Sequence, residues 1–189
     1  MRVYLPALPS ELAGPTPPIR DGFAALPAAG TPKDDIEVLE DDAQSEAALA
    51  SLVLARESAS PQAPARLVLA LDVPDSHAVA GQVEGAPGVH LVPGVRAQWD
   101  AAAAILADGA GAAPAVRRVL EATTQEGADR ALCELWDEAL EWFDITERPA
   151  LASALSAPAR TGADKGAPGW TGADEGAPGW TGADEGAPA

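Results

Sequence analysis

Hydrophobic and polar positions change period several times along the chain, and each change marks an element. Val3 and Leu5 alternate with Arg2 and Tyr4, and Pro6 closes the run, which predicts a first strand over 2–7. Ser10-Glu11-Leu12-Ala13 has the form of a short helix with Ser10 as N-cap, ended by Gly14-Pro15. Residues 14–32 are rich in Pro and Gly and read as a loop. Its one apolar stretch, 23–26, has the length of a short edge strand. From Asp34 to about Ser58, Leu39, Ala43, Ala47, Ala50 and Leu54 recur at helical spacing, so a long helix presents one apolar face. Acids crowd its first turns, where the helix macrodipole favours them.

Beyond Pro64 the period shortens again. Arg66-Leu67-Val68-Leu69-Ala70-Leu71-Asp72-Val73 is apolar on both faces, as expected of a central strand covered on both sides. Residues 88–93 predict another short strand, while 101–108 fit a helix by alanine content and a strand by length and the following Asp108-Gly109. Residues 113–122 predict a helix with Pro114 near its start and Val116, Val119 and Leu120 on one face. A further helix is expected over 127–140, carrying Leu132, Leu135, Trp136 and Ala139, and 141–147 reads as extended with Phe143 and Ile145 on one side. Strands alternating with helices point to an α/β or α+β domain with a single small sheet of about four to five strands and three or four helices packed on it; ferredoxin-like layering is the alternative arrangement.

The last segment breaks this pattern. Thr161-Gly-Ala-Asp-Lys-Gly-Ala-Pro-Gly-Trp170 recurs with a period of ten residues, from Thr171 to Trp180 and again from Thr181 to Ala189. Gly and Pro dominate, and Trp170 and Trp180 are its large apolar residues, too few to offset the entropy of ordering it. The reading is an α/β domain over 1–158 followed by a disordered tail over 159–189.

Charge narrows the choice of partners. The chain carries 29 acids against 12 bases, a net charge of −17, and from Thr161 onward there are only five acids and one lysine. Most of the excess belongs to the domain. Such a field repels phosphate backbones and anionic bilayers, so neither nucleic acid nor membrane is expected as a partner. Met1-Arg2 leads straight into the first strand without a charged leader, apolar stretch and cleavage site. The longest apolar run, near 101–107, is far too short to span a bilayer. The expected location is the cytoplasm. One cysteine, Cys133, excludes an internal disulfide, and its apolar helical neighbours suggest a packed core position.

Three stretches together resemble a family of short uncharacterised actinobacterial proteins known only as a domain of unknown function. They are Met1-Arg2-Val3-Tyr4-Leu5-Pro6-Ala7, Leu67-Val68-Leu69-Ala70-Leu71-Asp72-Val73-Pro74 and Glu138-Ala139-Leu140-Glu141-Trp142-Phe143. The resemblance implies a cytoplasmic α/β domain and carries no catalytic residues with it. The Gly-rich turn at 108–111 and the repeat tail depart from the family's pattern.

Candidate chemistry is sparse. Asp108-Gly109-Ala110-Gly111-Ala112-Ala113-Pro114 has the outline of a dinucleotide turn, but Pro114 replaces the third glycine and Asp108 would face the phosphate; it reads as a turn, with no cofactor expected. Asp34, Asp35, Glu37, Glu40, Asp41, Asp42 and Glu46 lack calcium-loop spacing and read as a helix start with a solvated face. Glu134, Asp137, Glu138 and Glu141 would stripe one helix face if the last helix reached Glu141, but no histidine partners them, so no metal is expected. The best-placed polar group is Asp72, Asp75 and His77, just beyond the central strand, where open sheets place ligands and where a carboxylate beside an imidazole could do acid–base work. Turn-capping after a strand is the simpler account of the two aspartates. Trp136, Trp142 and Phe143 could form a binding surface, but packing in the core is the preferred reading. The expected function is a small non-catalytic cytoplasmic module that docks onto another protein through a sheet edge or Trp142–Phe143. The alternative is a hydrolase-like or metal-assisted enzyme centred on Asp72, Asp75 and His77.

Overall fold

The computed structural model describes residues 1–59 and 62–156. The chain divides into the units Met1–Ala159 and Arg160–Ala189. The second unit, and with it the disorder expected of 159–189, lies outside the described residues.

Six strands form one open sheet: β1 (Arg2–Pro6), β2 (Arg20–Ala25), β3 (Leu67–Asp72), β4 (Val89–Val95), β5 (Ala102–Asp108) and β6 (Leu140–Phe143). Their order is β4-β2-β1-β3-β5-β6, and every neighbouring pair is antiparallel. The helices are α1 (Lys33–Glu57), α2 (Ala113–Glu121), α3 (Gln125–Leu135) and α4 (Arg148–Ser156). The architecture is α+β. Its centre is a split unit in which α1 links β2 to β3 and β1 fills the gap between them.

Period-two alternation divides the core between the two faces of the sheet. Val3, Leu5, Leu67, Leu69, Leu71, Ile105 and Val92 point to the first face, where Leu12 and α4's Leu151 and Ala152 cover them. Residues 96–101 connect β4 to β5 and bring Ala97 and Trp99 onto this face. Trp99 Nε1 donates to the Gly14 carbonyl at 3.0 Å, and the Arg148 guanidinium lies 4.4 Å from the indole centroid while donating to the Leu12 carbonyl. These contacts fasten α4 to the domain. On the second face Tyr4, Val68, Ala70, Ala104 and Leu106 meet α1's Ala43, Ala47 and Ala48. Burial, and next the Glu40 carboxylate, push the Tyr4 phenol up to about 12.

With 25 residues, α1 is about 37 Å long and outruns strands of ~20 Å. Its last turns carry Leu49 and Leu52 to a third cluster with Ala115, Val116, Leu132 and Leu135 of α2 and α3. The sheet itself is covered unevenly. Helix α1 packs chiefly over β1 to β4; on the second face Ala104 and Leu106 of β5 are still buried, while Trp142 of β6 is exposed.

Several expectations change. Residues 20–25 form an interior strand, not a loop or edge. Gly22 permits this, because a Cβ there would stand 2.6 Å from Val3 Cγ1 and 3.1 Å from the Tyr4 carbonyl oxygen. The ambiguous 101–108 segment is strand β5. On α1 the buried residues are Ala43, Ala47, Ala48, Ser51 and Leu52, while Ala50 and Leu54 are only partly covered, because the helix rolls its last turns toward α2. Helix α3 ends at Leu135, so the carboxylate stripe never forms and only Glu134 of its four members is helical. Cys133 is exposed, since Ala131 and Leu135 take the inward face. Helix α4 had no counterpart in the sequence reading.

Candidate functional site at the open sheet edge

The two edges of the sheet are finished differently. Along β4, the Ala80 N–H donates to Leu91 O at 2.7 Å, the Leu91 N–H to Gly81 O at 3.3 Å and the Val83 N–H to Val89 O at 2.9 Å. Gln82 forms a bridge with His90. That edge is covered. Among the described residues nothing pairs with the outer side of β6. An uncovered strand presents a row of free N–H and C=O groups, which is a template for another chain.

A buried ion pair positions β6. Arg66 ends the link into β3 and Asp108 ends β5, and their side chains are 2% and 1% exposed. Asp108 Oδ2 accepts the Arg66 backbone N–H at 2.6 Å, and Oδ1 accepts Nη2 at 2.6 Å and Nε at 3.0 Å. Arg66 Nη2 also donates to the Glu138 carbonyl at 2.6 Å, fixing the turn that leads from α3 into β6. The Trp136 ring centroid lies 5.9 Å from the same guanidinium. Asp108 stands opposite Leu140, and the register continues with Ala107 opposite Glu141, Leu106 opposite Trp142 and Ile105 opposite Phe143. At the far end, the Asp144 carboxylate accepts from the Thr146 hydroxyl at 2.6 Å and its N–H at 2.8 Å. Those bonds, the hydroxyl's foremost, hold Asp144 below the usual carboxylate range. Glu147 accepts the Asp144 N–H at 2.7 Å, which ends the strand.

Alternation then sorts the side chains of β6. Phe143 turns to the first face and packs on its core. Trp142 turns to the second face, past the buried Leu106 and outside α1's main strand contacts, and is 61% exposed. Trp136 is 44% exposed. Both tryptophans thus stand at the surface, and the core position expected for them is filled by alanines and leucines instead. Large aromatic side chains in water are the usual anchors of protein interfaces.

Asp72, Asp75 and His77 engage separate groups. Asp72 takes both Arg2 Nε and Nη2 at 3.1 Å on the sheet end. Asp75 pairs with the Met1 ammonium, whose hydrogen bond and then charge lower its pKa. The His77 N–H closes a turn onto Pro74 O at 3.1 Å. Among the described residues no group of three His, Cys, Asp or Glu side chains is placed to hold a metal ion. Two open grooves of about 380 Å³ lie elsewhere, one between Leu12 and α4, the other between α2 and α3. No helix among the described residues is long and apolar enough to cross a membrane.

One family profile matches residues 1–152, a span that contains every strand of the sheet. The chain belongs to DUF6912, a family of unknown function. No curated protein and no solved structure matches it. The DUF6912 match includes β6, the Arg66–Asp108 pair and both exposed tryptophans, and stops inside α4.

Sequence reasoning singled out Trp142 and Phe143 but missed what holds them. An arginine before one strand and an aspartate at the end of another were the available signal, and each alone looks like ordinary strand punctuation.

Proposed function

We propose that this DUF6912 chain is a non-catalytic cytoplasmic docking module whose β6 edge accepts an extended segment of a partner protein. The observation that carries the reading is the unequal finish of the two edges. Residues 80–83 cover β4, whereas β6 is left open with Trp142 61% exposed beside it. Strand addition to such an edge obtains affinity from main-chain hydrogen bonds and selectivity from alternate side chains. The buried ion pair supports the reading by making the edge rigid, which reduces the ordering cost of association. For the hydrolase-like alternative, Asp72 and Asp75 have other charge partners and neither groove takes in His77.

The test is site-specific photo-crosslinking in cells of the source organism, using the full-length chain with a photoreactive residue at position 142 or, as control, at Val53 on the exposed side of α1. A discrete protein adduct from position 142 and none from position 53 is expected. No adduct from 142, or equal adducts from both, would overturn the proposal.

A further inference from the structure

Resting on that reading, we infer that the segment received by β6 is a basic strand, with Lys or Arg at alternate positions facing Glu141 and apolar side chains facing Trp142. The open edge defines the place, and charge selects the occupant. Between Arg130 and Arg148 the chain carries Glu134, Asp137, Glu138, Glu141, Asp144 and Glu147 and no base. Glu134 is satisfied by Arg118 at 2.8 Å, and Asp144 and Glu147 are spent on the turn after β6. Asp137, Glu138 and Glu141 are exposed and have no cation among the described residues. Glu141 lies opposite Ala107 on the first face, and its carboxylate is directed back over Gly109 at the end of β5, where a Cβ would overlap it. The unpaired carboxylates on one face favour a cation through Coulomb attraction, and the exposed indole on the other face favours an apolar side chain.

A second copy of the chain fits poorly. Side chains directly opposite in an antiparallel pair share a face, so a two-fold axis must pass through a residue position. Centred on Glu141, the axis sets two like charges against each other. Centred on Trp142, it sets Leu140 against Asp144 and Glu141 against Phe143, each a charge on an apolar group. The net charge of −17 opposes self-association further.

Three fluorescein-labelled octapeptides test the inference on the full-length chain: alternating Val-Lys, alternating Val-Glu, and the Val-Lys peptide with two valines replaced by proline. The Val-Lys strand is expected to bind saturably, at least tenfold tighter than either of the others, with NMR amide shifts concentrated in Leu140–Phe143. Glu141→Gln and Trp142→Ala should each weaken it several-fold, and added salt should weaken it further. Equal or tighter binding of Val-Glu would overturn the basic strand, as would a peptide-free dimer abolished by Trp142→Ala. Equal binding of the proline peptide would show charge attraction without strand pairing and overturn it too. Absence of any shift in β6 would do the same. A protein adduct from position 142 together with any of these results leaves the docking reading standing and ends this one.

Discussion

Removing the Asp108 carboxylate should be among the most costly single changes in the domain. Asp108→Ala takes away the acceptor of the Arg66 backbone N–H at 2.6 Å and of Nη2 at 2.6 Å, together with both contacts to Nε. The guanidinium stays behind, 2% exposed, with the Glu138 carbonyl as its remaining oxygen partner. Breaking a buried pair in this way costs about 3–5 kcal/mol, because an uncompensated charge is left in the interior. The surviving bond to Glu138 places the effect toward the lower figure. With a urea m-value of about 2 kcal/mol per M, the unfolding midpoint should fall by roughly 1.5 M at unchanged slope. The companion variant Arg66→Met/Asp108→Leu removes both charges and fills the space with carbon. It should recover most of the loss, since apolar replacement of a buried ion pair is often close to neutral. A deficit from the orphaned Arg66 backbone N–H should remain. A loss below about 1 kcal/mol for Asp108→Ala, or a double variant no more stable than the single one, would refute this account of the pair.

Other consequences are open to measurement. Tyr4 is the one tyrosine of the chain, so phenolate absorbance reports it alone, and the folded protein should ionise near 12 in place of the ordinary ~10. The raised value means the folded state holds a proton the unfolded state has lost, so stability should decline between about pH 10 and 12; a midpoint at 10 with the fold intact would count against Tyr4's burial. Gly22→Ala forces a Cβ to 2.6 Å from Val3 Cγ1 and should cost about 1–3 kcal/mol in chemical denaturation, whereas no loss would mean β1 and β2 pack less closely than described. Trp142→Ala, at a 61% exposed position, should change stability by no more than about 0.5 kcal/mol while weakening docking several-fold; a large stability loss would instead make this indole part of the core.

The local periods made the architecture legible in parts. The run 67–71 announces a strand buried on both faces because every position is apolar, and it is central in the sheet. Residues 20–25 did not announce themselves, since a strand interrupted by Gly22 resembles a loop until Val3 and Tyr4 are seen packed against it. The end of α3 was misplaced because Trp136 and Ala139 continue a helical spacing. What stops the helix is distant in sequence: Arg66 holds the Glu138 carbonyl. At the candidate site the aromatic residues were visible and their exposure was not. Exposure depends on α1 packing over β1 to β4 and stopping short of β6, which is a property of the assembled layers. The coverage of β4 by 80–83 is equally non-local in origin, and no composition rule reveals which edge stays open.

Hydrogen exchange at Leu140–Phe143 in the isolated full-length chain, and again in the complex captured through position 142, tests the docking claim most directly. The account predicts rapid exchange for those β6 amides that face away from β5 in the free chain, slow exchange where 80–83 pairs with β4, and at least tenfold slowing along β6 in the complex. Outward β6 amides already slow in the isolated chain, or unchanged in the complex, would contradict it.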